Sequence, residues 1–276
     1  MDLEKVIIPP LSAVTFEVMR FNPDDETADS TGLERIVKPD EGICSEILRV
    51  SNSSFYGRSG RVKSLRDAIT LIGLKSSRNL IILLSTRAMN AGLKGATFSK
   101  HLNEFSVTAA LVAADLCDQL GLKQYKEEAF IGGLLHKIGM TVFALNKRKD
   151  YADLLREVEA NFSDLTEEER RRYQIDHVEV GRRIMERWNL PEQFQDVIAN
   201  HNFDPEEMDN VSDLVKITSL ASLTSREMMG LLLPMNDLNK KAKLTGHFDA
   251  GEQIQQFDAA YFEKVKQHSF YKVAVG

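Results

Sequence analysis

Apolar residues recur at helical spacing along most of this chain, and they leave almost no room for strands. The clearest stretch lies between Thr97, which can cap a helix, and Gly121, which can end one. Its apolar positions are Leu102, Phe105, Ala109, Val112, Leu116 and Leu120. No Asn-Gly or Asp-Gly turn joins two alternating runs, so hairpins are not indicated. The pattern predicts an all-α fold of many short to medium helices.

Capping residues predict where the other helices begin and end. The two prolines at the start of 9–20 open a helix, and Ser64 begins a capping box whose helix ends at Gly73. The segment 166–169 has the pattern of a second capping box. Further helices are predicted over 176–188, 212–229 and 249–267.

Composition narrows the class of protein. The 276 residues are 43% apolar and 28% charged, as in a globular protein with a sizeable core. The net charge of -6 argues against a dedicated nucleic-acid binder. The arginines at 170–172 follow acids at 167–169, and this mixture of charges predicts a solvated helix surface. Cys44 and Cys117 stand far apart, which predicts free thiols in a reducing cytoplasm.

The sequence predicts neither a targeting signal nor a membrane-spanning helix. Residues 1–5 lack the basic start of a signal peptide, and no apolar run approaches ~18 residues, so we expect a cytoplasmic protein without a membrane span. The glycine-rich segment 90–95 is the best boundary candidate. It divides the chain into 1–95 and 96–276.

Two blocks of residues carry a resemblance to a known family. The first block contains Asp40-Glu41, Asn52-Ser53-Ser54-Phe55-Tyr56-Gly57, Ser64-Leu65, Ala68-Ile69 and Leu71-Ile72-Gly73-Leu74. The second contains Gly133-Leu134-Leu135-His136-Lys137-Ile138-Gly139, His177, Val180-Gly181, Trp188-Asn189-Leu190-Pro191 and His201-Asn202. In this order they resemble the HDOD family, a bacterial signalling relative of the HD phosphohydrolases. The resemblance covers roughly residues 9 to 225, and Glu41 stands where the family usually has Pro.

The resemblance implies an N-terminal helical subdomain over 1–95 and a degenerate HD-like bundle over 96–276. In HD phosphohydrolases an adjacent His-Asp pair ends a buried helix and holds a divalent cation. Here that pair is His136-Lys137. An ammonium group has no lone pair to donate, and at ~4 Å with an effective dielectric constant of ~20 it repels a dication by roughly 8 kcal/mol.

The other ligand positions that the resemblance implies are also altered. The slot for an earlier histidine falls near Phe105-Ser106, and His101 would reach it only in a shifted helical register. The slot for a distal aspartate falls near Ala221-Ser222, and Asp213 is too early. A His-His pair of some relatives is reduced to His201-Asn202. We therefore predict no metal, no cofactor and no hydrolytic activity, because hydrolysis needs a held cation that activates water.

The remaining polar residues of this region each have two interpretations. His136 is either a residual ligand or a core histidine bonded to a backbone carbonyl. Lys137 either binds an anion or pairs with an acid and extends toward solvent. His177, His201 and Asn202 are candidates for lining the same vestigial pocket. Imidazoles beside an ammonium group favour a small anion such as a carboxylate or a phosphate.

Other motif residues are predicted to be structural. They are Asn52, Ser53, Gly57, Gly73, Trp188 and Pro191. Asn52 and Ser53 are expected to satisfy backbone groups at a helix end. Trp188 is expected to wedge two helices together, and Pro191 suits the first turn of the next helix.

Three functions follow as hypotheses. The leading hypothesis is a non-enzymatic signal-transduction module that acts on partner proteins in trans. The resemblance implies a nucleotide-signalling enzyme or a histidine kinase as the class of partner. The alternatives are a residual metal-dependent phosphohydrolase, including a cyclic-dinucleotide phosphodiesterase, and a sensor of a small anion. A serine hydrolase is not indicated, because Ser222 and Ser225 show no partners in the sequence.

Overall fold

The computed structural model describes residues 6–56 and 62–276, and no strand occurs within those two ranges. The N-terminal helices are α1 (Ala13–Arg20), α2 (Ser30–Val37), α3 (Glu41–Ser51), α4 (Leu65–Ile72) and α5 (Leu74–Asn90). The central helices are α6 (Ala96–Phe98), α7 (Phe105–Gln119), α8 (Lys126–Leu135), α9 (Ile138–Asn146), α10 (Arg148–Asn161) and α11 (Leu165–Tyr173). The C-terminal helices are α12 (His177–Trp188), α13 (Glu192–Asn200), α14 (Asp213–Met228), α15 (Met235–His247), α16 (Gly251–Gln255), α17 (Ala259–Gln267) and α18 (Ser269–Val275). The prediction of an all-α fold is confirmed.

Helix α7 forms the centre of the bundle, packed between α8 and α14. Two glycines let the neighbouring backbones approach closely. A Cβ on Gly133 would lie 2.5 Å from the Cα of Ala110, so α8 touches α7 directly. A Cβ on Gly139 would lie 2.0 Å from the carbonyl oxygen of His177, so α9 touches the start of α12. These contacts fix the position of the segment between the two glycines, which contains His136 and Lys137.

Several predicted helix ends are confirmed by their hydrogen bonds. The Asp67 amide donates to Ser64 Oγ at 3.1 Å, and Gly73 ends α4 with φ 90°. The Glu179 amide donates to Asp176 Oδ1 at 2.9 Å and so begins α12. Short polar side chains at these positions replace the missing backbone acceptors of the first turn, which is why local sequence suffices to find them.

Other predicted starts are wrong because a different side chain takes the capping role. Helix α1 begins at Ala13 rather than at the prolines, since Ser12 Oγ accepts from the Thr15 amide at 3.1 Å. Thr166 does not begin α11, because Asp164 accepts the Glu167 amide at 3.0 Å. Pro191 precedes α13 instead of lying in its first turn.

Two predicted helices are interrupted. Thr97 lies within the short α6 and caps nothing, and the backbone over Ser99–Glu104 is π-helical before α7 begins. The predicted helix over 249–267 divides into α16 and α17, because Asp258 Oδ1 accepts the Tyr261 amide at 2.8 Å and starts a new helix.

One buried side chain connects the N-terminal segment with the rest of the bundle, and a second connects two of the N-terminal helices. Trp188 is buried, as predicted, and its Nε1 donates to the Pro9 carbonyl at 3.1 Å. The Arg78 guanidinium is buried and donates to the carbonyl of Met19 at 2.9 Å, at the C-terminal end of α1. The predicted boundary between the subdomains 1–95 and 96–276 stays a prediction.

The polar motif after α3 has a structural role in part. Asn52 Nδ2 donates to the carbonyls of Leu48 and Val62, and Asn52 Oδ1 accepts from the Val62 amide at 3.1 Å. Asn52 therefore joins the end of α3 to the segment before α4, as predicted. The Ser53 hydroxyl is buried and finds no partner among the described residues, so its predicted role is not borne out there. Gly57 lies outside the described residues.

One helical stretch is longer and more apolar than the sequence interpretation expected. The residues Lys123–Asn146 could cross a bilayer by length and composition alone. However, 83% of its most apolar window is buried inside the protein, and a core helix passes the same test. We assign this stretch to the core because α8 packs on α7 and α14.

Both Cys44 and Cys117 are free thiols, as predicted.

Candidate functional site

His136 lies at the end of α8 and is 1% exposed. Its Nδ1 is 2.9 Å from the Gly133 carbonyl, which can only accept, so the ring proton is on Nδ1. Its Nε2 then accepts from the Ser222 hydroxyl of α14 at 3.0 Å. The structure thus shows the hydrogen bond to a backbone carbonyl that a core histidine would make.

Two further histidines join His136 in one cluster. The ring of His201 lies 5.1 Å from that of His136 and 5.6 Å from that of His177. The Nδ1 of His201 donates to the Ile198 carbonyl at 3.1 Å, and the Nδ1 of His177 donates to Glu169 Oε2 at 2.7 Å. All three rings therefore carry their proton on Nδ1. The structure brings together the three imidazoles that the motif suggested.

The Nε2 atoms of His177 and His201 are buried acceptors without a donor. Neither atom has a hydrogen-bond partner among the described residues. A buried acceptor without a partner costs about 1–3 kcal/mol relative to a satisfied one. Burial lowers the pKa of His201 well below its usual value, and the charges of neighbouring groups lower it further, so this ring stays neutral at neutral pH.

Glu169 is a central residue that the sequence interpretation placed on the solvated surface. It is 0% exposed, and it accepts from the Tyr151 hydroxyl at 2.5 Å and from the amide and Nδ1 of His177 at 2.8 and 2.7 Å. The surface assignment is therefore wrong for this residue. The sequence did contain a signal for this burial. Glu169 is four residues from both Leu165 and Tyr173, and this helical spacing places it on the apolar face of α11.

Lys137 follows directly at the start of α9 and is partly buried. Its ammonium nitrogen lies 4.6 Å from the ring centroid of Phe105, whose ring is 5.8 Å from that of His136. No ion pair links Lys137 to an acid within the described ranges. Burial, and then the charge of Arg226, lower the pKa of Lys137 to about 8. The group is thus mostly an ammonium ion at neutral pH, held on an aromatic face.

A polar cavity of about 40 Å³ adjoins the histidines. Its polar lining consists of Lys137, Asp164, Thr166, His177, His201, Asn202, Ser219, Ser222, Arg226, Asp237 and Lys240. Arg226 pairs with Asp237 at 2.6 Å. Lys240 is 2% exposed, donates to Asn202 Oδ1 at 3.3 Å, and has its pKa lowered by burial. Asn202 therefore lies at the pocket as predicted, while Arg226 and Lys240 were not foreseen, because no motif marks them.

A second, mainly apolar cavity of about 50 Å³ is also lined by Lys137, together with Phe105 and Leu232. His101 faces this second cavity, with its Nε2 3.3 Å from Glu159 Oε2. Burial lowers the pKa of His101 to about 4. The π-helical segment does change the register around His101, but the residue that contacts the His136 ring is Phe105. His101 therefore does not take the place of the histidine that is missing near Phe105.

The contact between Ser222 and His136 has two of the three parts of a hydrolase triad. The third part is absent, because His136 Nδ1 donates to a neutral carbonyl and not to a carboxylate. Burial, and then the charge of Lys137, lower the pKa of His136 to about 3, which makes the ring a poor general base. This geometry does not favour a serine hydrolase, and the absence of that activity stays a prediction.

The residues present do not fit the metal ion of an HD site. Within 6–56 and 62–276, no group of three or more His, Cys, Asp or Glu side chains is arranged to hold a metal ion. The positions around His136 carry an aromatic ring, an ammonium group and a hydroxyl, from Phe105, Lys137 and Ser222. A hard dication needs carboxylate oxygens, and none is offered at these three positions.

Comparison with known proteins assigns the family. A family model for the HDOD domain matches residues 8–203 of this chain. The chain belongs to the HDOD family. The resemblance given by the two sequence blocks is thereby confirmed, and this protein contains a domain of a signalling family related to the HD phosphohydrolases.

Relatives of this HDOD protein show the same fold. An HDOD domain protein with unknown function from Geobacter sulfurreducens superposes with a TM-score of 0.70, at 18% identity over 96% of this chain and 94% of that one. A protein from Marinobacter aquaeolei, described as a candidate for signal transduction, gives 0.72 at 19% identity over 99% of this chain and 59% of that one. An uncharacterized protein of Treponema pallidum is 25% identical over 234 residues, 81% of this chain. This HDOD chain spans 43% of that relative's length.

The buried His136 should make the stability of this HDOD protein depend on pH. A histidine of the unfolded chain titrates near 6.5, whereas folding lowers the pKa of His136 to about 3. The unfolded state therefore takes up the proton first, so this group's contribution is complete above about pH 6.5 and declines as the pH falls. Between pH 6.5 and pH 5 we expect a loss of about 2 kcal/mol in the free energy of unfolding.

Urea unfolding near pH 7 and near pH 5 measures this loss. In His136→Gln, whose amide can still donate to the Gly133 carbonyl, the loss should be about 2 kcal/mol smaller than in the wild type. An equal loss in both proteins would contradict the assignment of a neutral buried ring.

Proposed function

We propose that this protein is a regulatory HDOD module that works without hydrolytic chemistry, by binding signalling proteins. One observation carries the proposal: the Lys137 ammonium lies over Phe105 beside the imidazole cluster, at the position of a carboxylate ligand. A fixed positive charge beside His136 opposes a second, doubly charged cation there. Without that cation no bound water is activated.

A residual phosphohydrolase is the second candidate, and one observation favours it. The three histidines of the cluster carry their protons on Nδ1, which is the tautomer that leaves Nε2 for a metal ion. The absence of a carboxylate at the positions around His136 argues against it. A measurement of metal content separates the two functions.

The test uses protein purified without chelators and analysed for transition metals, alongside assays with cyclic dinucleotides and phosphomonoesters. We expect far less than one metal ion per chain and no hydrolysis above that of His136→Ala. One iron, manganese or zinc ion per chain, lost in His136→Ala together with a measurable activity, would reject the proposal in favour of the hydrolase.

The surface beside the apolar cavity supports a binding role. Leu232 lines this cavity and is 60% exposed, and Met235, the first residue of α15, is 71% exposed. Exposed apolar side chains that cluster are typical of contact surfaces. We propose that signalling proteins of the bacterial cytoplasm bind here, a nucleotide-signalling enzyme or a histidine kinase being the partner class.

Affinity capture from the native cytoplasm tests the contact surface. The double variant Leu232→Ser, Met235→Ser should lose the captured partners. Phe162→Ser is the matched control, because Phe162 is an exposed apolar residue at the end of α10 and should leave capture unchanged. Capture of the same proteins by the wild type and the double variant would reject this surface.

A further inference from the structure

The polar cavity holds an unsatisfied set of hydrogen-bonding groups. The Nε2 atoms of His177 and His201 are buried acceptors without donors among the described residues. Their protonated Nδ1 atoms are occupied by Glu169 and the Ile198 carbonyl, so neither ring can turn its donor toward the cavity without losing that bond. These two acceptors call for a group that brings its own hydrogen.

The same cavity carries an excess of positive charge. Lys137, Arg226 and Lys240 contribute three cations, and Asp164 and Asp237 contribute two anions. Asp237 is paired with Arg226, and Asp164 accepts the Glu167 amide and the Thr166 hydroxyl at the start of α11. Lys137 and Lys240 are left without a carboxylate partner within the described residues, and both lie over aromatic rings.

We propose that this cavity binds a small oxyanion that also carries a hydroxyl group. The anionic oxygens accept from Lys137 and Lys240, and the hydroxyl donates to the Nε2 of His177 or His201. The cavity of about 40 Å³ suits a group of few atoms. Binding draws the ammonium of Lys137 from the face of Phe105 toward the anion. The anion is either a protonated phosphate or a small hydroxycarboxylate, which share this chemistry.

The requirement for a hydroxyl separates this site from a general attraction of anions. Near neutral pH, phosphate carries both charged oxygens and a hydroxyl, whereas sulfate has charged oxygens only. Glycolate and acetate form a second pair that differs in the same way. Cations alone would bind the members of each pair about equally, while the histidine acceptors favour the member with the hydroxyl.

Thermal melting and isothermal titration with these four anions, at constant ionic strength, test the proposal. We expect either phosphate to raise the melting temperature more than sulfate, or glycolate to raise it more than acetate. The pair that shows the difference identifies the ligand as a phosphate or a hydroxycarboxylate. Lys240→Met should weaken that binding by roughly tenfold or more, since a charged hydrogen bond is lost. Lys243→Met, a lysine on the exposed side of the same helix, should bind as the wild type does.

The acceptors are tested by His201→Phe, which keeps an aromatic ring but removes Nε2 together with the Nδ1 donor to the Ile198 carbonyl. The preference for the hydroxylated anion should become smaller, because one of its two acceptors is lost, and where this variant fails to fold, the comparison of the four anions in the wild type decides. Equal responses to both members of each pair, no response to any, or equal weakening in Lys240→Met and Lys243→Met would overturn the proposal.

This inference rests on the proposed function in one respect, since it takes the pocket to be free of a metal ion. Metal content is therefore measured in the same preparation. Bound metal would reject the proposed function and this inference together. A metal-free protein without discrimination between the anions would reject this inference alone.

Discussion

The triple variant Phe105→His, Lys137→Asp, Ser222→Asp is expected to bind a divalent metal ion far more tightly than the wild type does. The three positions surround His136: the Phe105 ring is 5.8 Å from its ring, the Lys137 ammonium lies on Phe105, and the Ser222 hydroxyl is 3.0 Å from its Nε2. The changes supply one imidazole and two carboxylates beside an existing imidazole. The carboxylate at position 137 also replaces the ammonium charge that opposes a cation, an effect of several kcal/mol.

Metal analysis of the triple variant after dialysis against manganese or iron measures this gain, with a melting curve to confirm folding. The single variant Lys137→Asp is the control, and we expect it to bind far more weakly because it offers one carboxylate only. A folded triple variant that retains no metal would show that the HD geometry has been lost in the backbone as well as in the side chains.

Glu169→Ala is expected to be the most destabilising change at the imidazole cluster, by about 4 kcal/mol. Glu169 is completely buried and receives three hydrogen bonds, from the Tyr151 hydroxyl and from the amide and ring of His177. The alanine variant leaves three buried donors without an acceptor. It also opens space between α10, α11 and α12.

Equilibrium unfolding in urea measures this loss. The control is Glu168→Ala on the same helix, which removes a charge paired with the exposed Arg171 and should change stability by no more than about 0.5 kcal/mol. If both alanine variants lose the same stability, the buried contacts of Glu169 contribute nothing beyond helix propensity, and the account of this cluster is wrong.

The features that the sequence predicted correctly are those with a local cause. Ser64 and Asp176 each cap a helix by accepting from the amide three residues later, so a short window of sequence contains the whole interaction. The association of His136 with His177 and His201 came from the order of the family motif. Phe105 and Ser222 were named as the altered slots, and the structure places both against His136.

The features that the sequence did not predict depend on partners far along the chain. Glu169 is buried because Tyr151 and His177 meet it from other helices, and in the sequence it stands within a run of charges. Lys240 belongs to α15, a helix beyond the matched family region, so no motif pointed to it. The π-helical segment Ser99–Glu104 is a change of hydrogen-bond register, which leaves no trace in hydrophobic spacing.

Gly139 lies against the His177 carbonyl with no side chain between the two backbones. We therefore expect helices α9 and α12 to keep a fixed spacing at this point, because there is no side chain whose rotation could absorb a displacement. Lys137 directly precedes α9, and His177 is the first residue of α12. We therefore expect a displacement of either residue to shift the backbone beside the other, so that a change in the pocket alters the relative position of the two helices.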